Sequence, residues 1–153
     1  MTELDPSSRP SRPEFRNINA LTDLPSYRLP LAGLVSILHR ISGVIMFLLL
    51  PFIIWMFDVS VSSEISFDKF KRVFNVGVPL SPDSLVPGWF VKLVALLLIW
   101  AYLHHLCAGL RHLWMDVSHA AVSKEFGKSS AAATLALSIG LTLIFGAKLF
   151  GAY

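Results

Sequence analysis

Charge is missing from three stretches of this chain, and each gap is close to the length of a bilayer crossing. Seventeen uncharged residues separate Arg40 from Asp58, 18 separate Lys92 from Arg111, and 19 separate Lys128 from Lys148. A helix needs about 20 mostly apolar residues to cross the hydrocarbon core, and each gap reaches that length once a flanking turn is added. The pattern predicts an all-α integral membrane protein with three transmembrane helices, over about residues 31–57, 89–113 and 130–150. With 54% hydrophobic and 15% charged residues in 153, the chain is too apolar for an ordinary soluble domain.

What lies outside the windows divides the chain into a segment 1–30 and a membrane domain 31–153. Pro6, Pro10, Pro13, Pro25 and Pro30 prevent one long helix in the first segment, because each removes a donor and disfavours helix at the residue before it. That segment has no basic start followed by an apolar run, so no cleaved signal is expected. Residues 58–88 mix four acids with three bases and carry Pro79, Pro82 and Pro87; they read as an exposed connection with a short amphipathic helix around Phe67–Phe74. Pro51 falls inside the first span as a kink. Ala136 with Gly140, and Ala147 with Gly151, have the small-residue spacing that lets helices approach closely.

With three spans, residues 1–30 and the link after the second span share one side. That side holds eight Arg and Lys residues against five on the other, so the positive-inside rule places the amino terminus in the cytoplasm. The basic excess is only +3 and is scattered, which excludes a nucleic-acid-binding face. A single cysteine, Cys107, excludes a disulfide within the chain, a CxxC pair and a self-contained iron–sulfur or zinc site. Any cofactor has to use histidine.

Ionisable residues near or inside a span are costly and mark a pathway, a cofactor or a partner. Here they cluster as Ser36, His39 and Arg40 at the mouth of the first span, and as His104 and His105 through Asp116 in the second. At about 100° per residue, His105, Gly109, His112 and Asp116 share one stripe of a helix. A low-spin b-type haem needs imidazoles on both faces of its ring. His112, two turns away from His105, cannot be the second, and His39 is expected near the level of His112 rather than opposite His105. A haem on His105 would then take its other ligand from another subunit, with His39, Arg40 and His112 around the propionates and Gly109 leaving room for the ring. The competing reading of His105 is a histidine donating to a backbone carbonyl between helices. Ser36 and Arg40, four apart, read either as a self-bonded hydroxyl and a snorkelling arginine or as the polar corner of a quinone pocket. Asp116 is a proton relay or an ion-pair partner of Arg40 or His39. His104 points about 100° from His105, toward lipid or a partner.

The run Tyr27-Arg28-Leu29-Pro30 followed by Ser36-Ile37-Leu38-His39-Arg40-Ile41-Ser42-Gly43, together with His105, Gly109-Leu110-Arg111-His112-Leu113 and Asp116, resembles the cytochrome b-type large anchor subunit of succinate dehydrogenase, respiratory complex II. The likeness extends from about Arg9 to the third span. It implies that His105 is the axial ligand of haem b, shared with a small membrane anchor subunit. It also implies that Ser36 and Arg40 line the quinone site, that His39 and Arg40 hold haem propionates, and that His112 and Asp116 support them. The implied partners are that small anchor, an iron–sulfur subunit and a flavoprotein subunit that oxidises succinate; the lack of a transit-peptide composition favours a bacterial inner membrane over a mitochondrial one. The chain itself would have no independent activity.

Three other readings are weighed against this one. An anchor of a quinol–fumarate reductase would carry the same residues. A haem-free structural or assembly protein would use them only to join helices. A small transporter would need polar residues through every span, which the third span hardly offers.

Overall fold

The computed structural model describes residues 19, 21–23 and 26–151; most of the segment 1–30 lies outside the described residues. The elements run α1 (Leu31–Leu48), α2 (Leu50–Val61), α3 (Glu64–Asn75), β1 (Gly77–Ser81), β2 (Ser84–Pro87), α4 (Gly88–Val117), a 3₁₀ turn (His119–Val122) and α5 (Lys124–Leu149). Three of these, α1, α4 and α5, are long and apolar enough to cross a membrane. The chain is therefore an all-α membrane protein with one small hairpin.

The first apolar window is not one kinked helix but two. Pro51 sits in the first turn of α2, and Leu49 leaves helical geometry at φ −92°, ψ 7°. Proline has no N–H, and its ring crowds the carbonyl four residues earlier, so α1 closes and α2 opens around Leu49. The backbone bonds on either side survive, Leu49 N donating to Ile45 O and Ile53 N to Leu49 O at 3.0 Å each. After the break α2 packs on α3 and stands away from α4 and α5. The gap is an apolar cleft of about 570 Å³, walled by Met46, Ile53, Met56, Leu98, Leu103 and Phe145 among others.

Helix α4 runs four residues past the expected end of its span and carries Asp116 out of the apolar stretch. Helix α5 starts six residues earlier than the hydropathy suggests, because Ser123 caps it by accepting from Phe126 N, with Glu125 in the first turn; both features stabilise a helix start.

α1, α4 and α5 pack on one another through small side chains. Val35, Ala108 and Ala131 form the fully buried centre, as expected where lipid offers no hydrophobic drive and close approach does the work. The buried residues of α5 are Gly127, Ala131, Thr134, Ser138 and Gly146. Ala136 and Gly151 are exposed, and a Cβ on Gly140 would meet nothing within 4 Å, so the spacing singled out in the sequence is not the packing seam of this chain. Arg111, 8% exposed, ties the end of α4 to the start of α5. Its Nε donates to Ser130 Oγ at 3.0 Å and its terminal nitrogen to Gly127 O at 3.3 Å.

The connection between α2 and α4 is more ordered than its prolines suggest. Ser63 and Ser66 form a reciprocal capping box at the start of α3. The strands β1 and β2 pair antiparallel around Pro82 and Asp83. Both are edge strands, where Pro79 is tolerated. Gly77 enters the hairpin at φ +129°, and a Cβ there would run into the carbonyl oxygen of Val86, so only glycine fits.

Candidate functional site

The two polar clusters of the sequence meet between α1 and α4. The imidazoles of His39 and His105 stack with centroids 4.0 Å apart and planes 22° apart, and the His39 ring is 5.2 Å from that of His112. His39 thus lies between the other two, not level with His112 alone. The expectation placed residues by their height along straight helices, whereas an imidazole reaches across most of a turn. His39 and His105 still do not face each other across a flat ring, since a face-to-face stack leaves no room for one.

The hydrogen bonds at His105 fix its chemistry. Its Nδ1 is 3.1 Å from the backbone oxygen of His39 and 3.2 Å from Ser42 Oγ. A carbonyl oxygen only accepts, so Nδ1 carries the proton and donates it. The Ser42 hydroxyl gives its own proton to the same His39 carbonyl at 2.7 Å, and so accepts from Nδ1 as well. Among the described residues nothing bonds Nε2, the nitrogen that would present a lone pair in the neutral ring. A ligating histidine in a metal site shows this pattern, one nitrogen anchored and the other presented.

Gly43 completes the setting. A Cβ there would stand 3.1 Å from His105 Cε1, tighter than most packed carbons tolerate, so the missing side chain is what lets the imidazole lie against α1. Gly109 is less constrained, because a Cβ would meet only His39 Nε2 at 3.6 Å. Ser42 and Gly43 are the site residues that the sequence reading quoted without a role. Ser42 lies one turn after His39, and that both meet His105 is visible only once α4 is packed against α1.

His104 does not face lipid or a partner, contrary to expectation. It is fully buried, stacked on Trp100 with centroids 5.6 Å apart, and its Nδ1 is 3.2 Å from Ser138 Oγ. Ser138 donates to Leu135 O, so it accepts from His104. The other nitrogen, Nε2, is buried without a hydrogen-bond partner among the described residues. The 100° that separate consecutive helical residues therefore put His104 inside the three-helix core and leave His105 half-buried at its edge. The third span, read as nearly devoid of polar groups, supplies that hydroxyl from a stripe of Ser130, Thr134, Ser138 and Thr142, four residues apart.

Ser36 is half-buried and Arg40 exposed, on one face of α1 a turn apart. Asp116 is exposed and does not pair with Arg40. The one ion pair among the described residues is Lys71 with Asp68 at 2.8 Å, so no described carboxylate pairs with the Arg40 guanidinium. No group of three or more His, Cys, Asp or Glu side chains among the described residues could hold a metal ion. The arrangement offers one imidazole with an unbonded nitrogen, a second and third imidazole beside it, and a cation unpaired among the described residues with a hydroxyl at the mouth.

Comparison with known proteins gives a consistent result. Residues 12–145 match the family described as succinate dehydrogenase/fumarate reductase transmembrane subunit. The succinate dehydrogenase cytochrome b556 subunit of Paracoccus denitrificans is 30% identical over 132 residues, 86% of this chain and 85% of that protein. Its counterpart in Coxiella burnetii is 34% identical over 95 residues, 62% of this chain and 67% of that protein.

Proposed function

The chain belongs to the succinate dehydrogenase/fumarate reductase transmembrane subunit family, and on that premise we propose that it is the haem b-binding membrane anchor of a succinate:quinone oxidoreductase. In this reading His105 Nε2 would hold the haem iron together with a ligand from a small anchor subunit. Ser36 and Arg40 form this chain's part of the quinone pocket. His39, Arg40 and His112 surround the propionates, with Gly109 beside the ring and Asp116 in support. An iron–sulfur subunit and a flavoprotein subunit complete the assembly in a bacterial inner membrane, with the amino terminus on the cytoplasmic side.

The bond from His105 Nδ1 to the His39 carbonyl and Ser42 is also what a purely structural histidine would make; joined to the family match and to an Nε2 that bonds nothing among the described residues, it supports the haem reading. It holds the imidazole in the tautomer a metal requires and restrains its rotation, so little ordering is left to be done on binding. His104, the only adjacent rival, has no accessible nitrogen. A bound haem would supply one-electron chemistry; the work of this chain is to orient and to balance charge. Arg40 holds its positive charge at the low-dielectric edge of the bilayer, where it favours a quinone oxygen that becomes negative on reduction. The Ser36 hydroxyl can orient that oxygen and donate to it.

The complex co-purified with its partners should show a b-type band in a reduced-minus-oxidised spectrum and should pass electrons from succinate to quinone. An assembled complex with full succinate oxidation and no such band would instead favour the haem-free structural reading.

Ser42→Ala tests the bond at Nδ1. It removes one acceptor from Nδ1 and leaves the His39 carbonyl in place. The haem band should persist, while haem retention during dilution falls about tenfold, the lower end of what a lost supporting bond costs a metal site, and the midpoint potential shifts. Ser42→Thr, which restores the hydroxyl, should recover both. A potential and retention unchanged in Ser42→Ala would remove the hydroxyl from the account.

A further inference from the structure

On the other side of the bundle from Ser36 and Arg40, a second pocket lies between α2, α3 and the hairpin. It has a volume of about 480 Å³. Trp55 and Val59 from α2, Val73 and Val76 at the end of α3, and Leu85 from β2 provide apolar walls, while Lys69 and Arg72 of α3 provide the charge. We propose that this pocket seats one anionic phospholipid, its phosphate against Lys69 and Arg72 and an acyl chain along Trp55 and Val59. The proposal rests on the membrane fold and does not depend on the haem reading.

Three observations carry it. First, the charges are uncompensated. Of the three cations on α3, Lys71 is paired with Asp68 at 2.8 Å and lies over the Phe67 ring at 5.1 Å, whereas Lys69 and Arg72, three residues apart on one face, have no carboxylate partner among the described residues. Second, the two ends of the pocket differ in kind. α3 follows directly on the end of an apolar helix that continues the first span, so its exposed cations stand at headgroup level; the walls from α2 belong to the apolar stretch, with Trp55 placed as tryptophans are at a bilayer interface. A cationic mouth above an apolar wall complements a molecule with an anionic head and a hydrocarbon tail, and not a free anion or an acidic peptide, which would leave that wall uncovered. Third, the pocket is held in shape. The hairpin forms its far wall through Gly77, Pro79 and Leu85, the backbone at Gly77 is one only glycine adopts, and the capping box fixes the start of α3.

The test uses the intact complex, delipidated in detergent and returned to vesicles of phosphatidylcholine with or without phosphatidylglycerol. Lipid retained after re-extraction is counted by native mass spectrometry. The wild-type complex should keep one more phosphatidylglycerol than the Lys69→Gln/Arg72→Gln variant, with retention about tenfold to thirtyfold higher, since each cation near an anionic surface contributes roughly a factor of five. Lys71→Gln, which removes the compensated cation, should leave retention unchanged. Val59→Trp fills the apolar wall and keeps both charges, and it too should lower retention. Equal retention in the double glutamine variant would overturn the proposal. So would equal retention in Val59→Trp, which would mean diffuse attraction to charge rather than a seated lipid. Displacement by inorganic phosphate alone would identify a free-anion site, and recovery of an acidic protein in place of lipid would identify a protein interface; either result also overturns it.

Discussion

Replacing His105 by alanine should abolish the b-type haem band of the assembled complex. Loss of a ligating nitrogen has a larger effect than loss of a supporting bond, so haem occupancy should fall by more than the 10- to 100-fold that second-sphere changes typically cost a metal site. The control is His104→Ala. That imidazole is fully buried and its Nδ1 donates to Ser138 Oγ, so its removal takes an interhelical bond worth about 1 kcal/mol in a membrane and opens a void in the core. The His104 variant should lower the unfolding temperature while keeping the haem band, whereas the His105 variant, which also gives up an interhelical bond, should lose the band. If the band disappears with His104 and survives without His105, the assignment is wrong. The contrast is sharp because both residues lie on the same turn of α4, and general misassembly would affect both variants alike.

Arg40→Ala should lower succinate-to-quinone activity by about two orders of magnitude, the usual effect of removing a preorganised group that faces developing negative charge. Succinate oxidation by a soluble artificial acceptor, which bypasses the anchor, should be nearly unchanged. Arg40→Lys should recover part of the activity, because it keeps the charge and loses the planar fork. Ser36→Ala should cost about tenfold, one hydrogen bond in free-energy terms. That no carboxylate pairs with Arg40 among the described residues underlies this expectation: a compensated arginine would have little field to offer a substrate. An equal fall in both activities would mean that the complex had failed to assemble, and the quinone role would then be withdrawn.

Much of the site was legible because its signals are local. His105, Gly109, His112 and Asp116 share a stripe by helical arithmetic alone, and Ser36 and Arg40 share a face for the same reason. Ser42 and Gly43 were not legible as participants. Their roles are defined by His105, 63 and 62 residues away, and a serine or glycine in a membrane helix carries no mark of what it will touch. His104 was misread for a related reason. Its angle relative to His105 was correct, but what lies in that direction is α5 with its Ser138 hydroxyl, and no local pattern shows where α5 packs.

The sequence by itself determined that this is a membrane protein with three crossings, that a haem on it would have to be held by histidine, and which helix faces are polar. These follow from where charge is absent and from a fixed rotation per residue, which are properties of the chain in any surroundings. Only the tertiary structure decided which of two neighbouring histidines is sealed in the core and which is presented, because burial depends on the helix packed alongside. It also showed that the first apolar window divides at Leu49, where proline chemistry allows either a kink or a break, and that the hairpin folds back to wall a charged pocket on α3, which depends on where the strands pack.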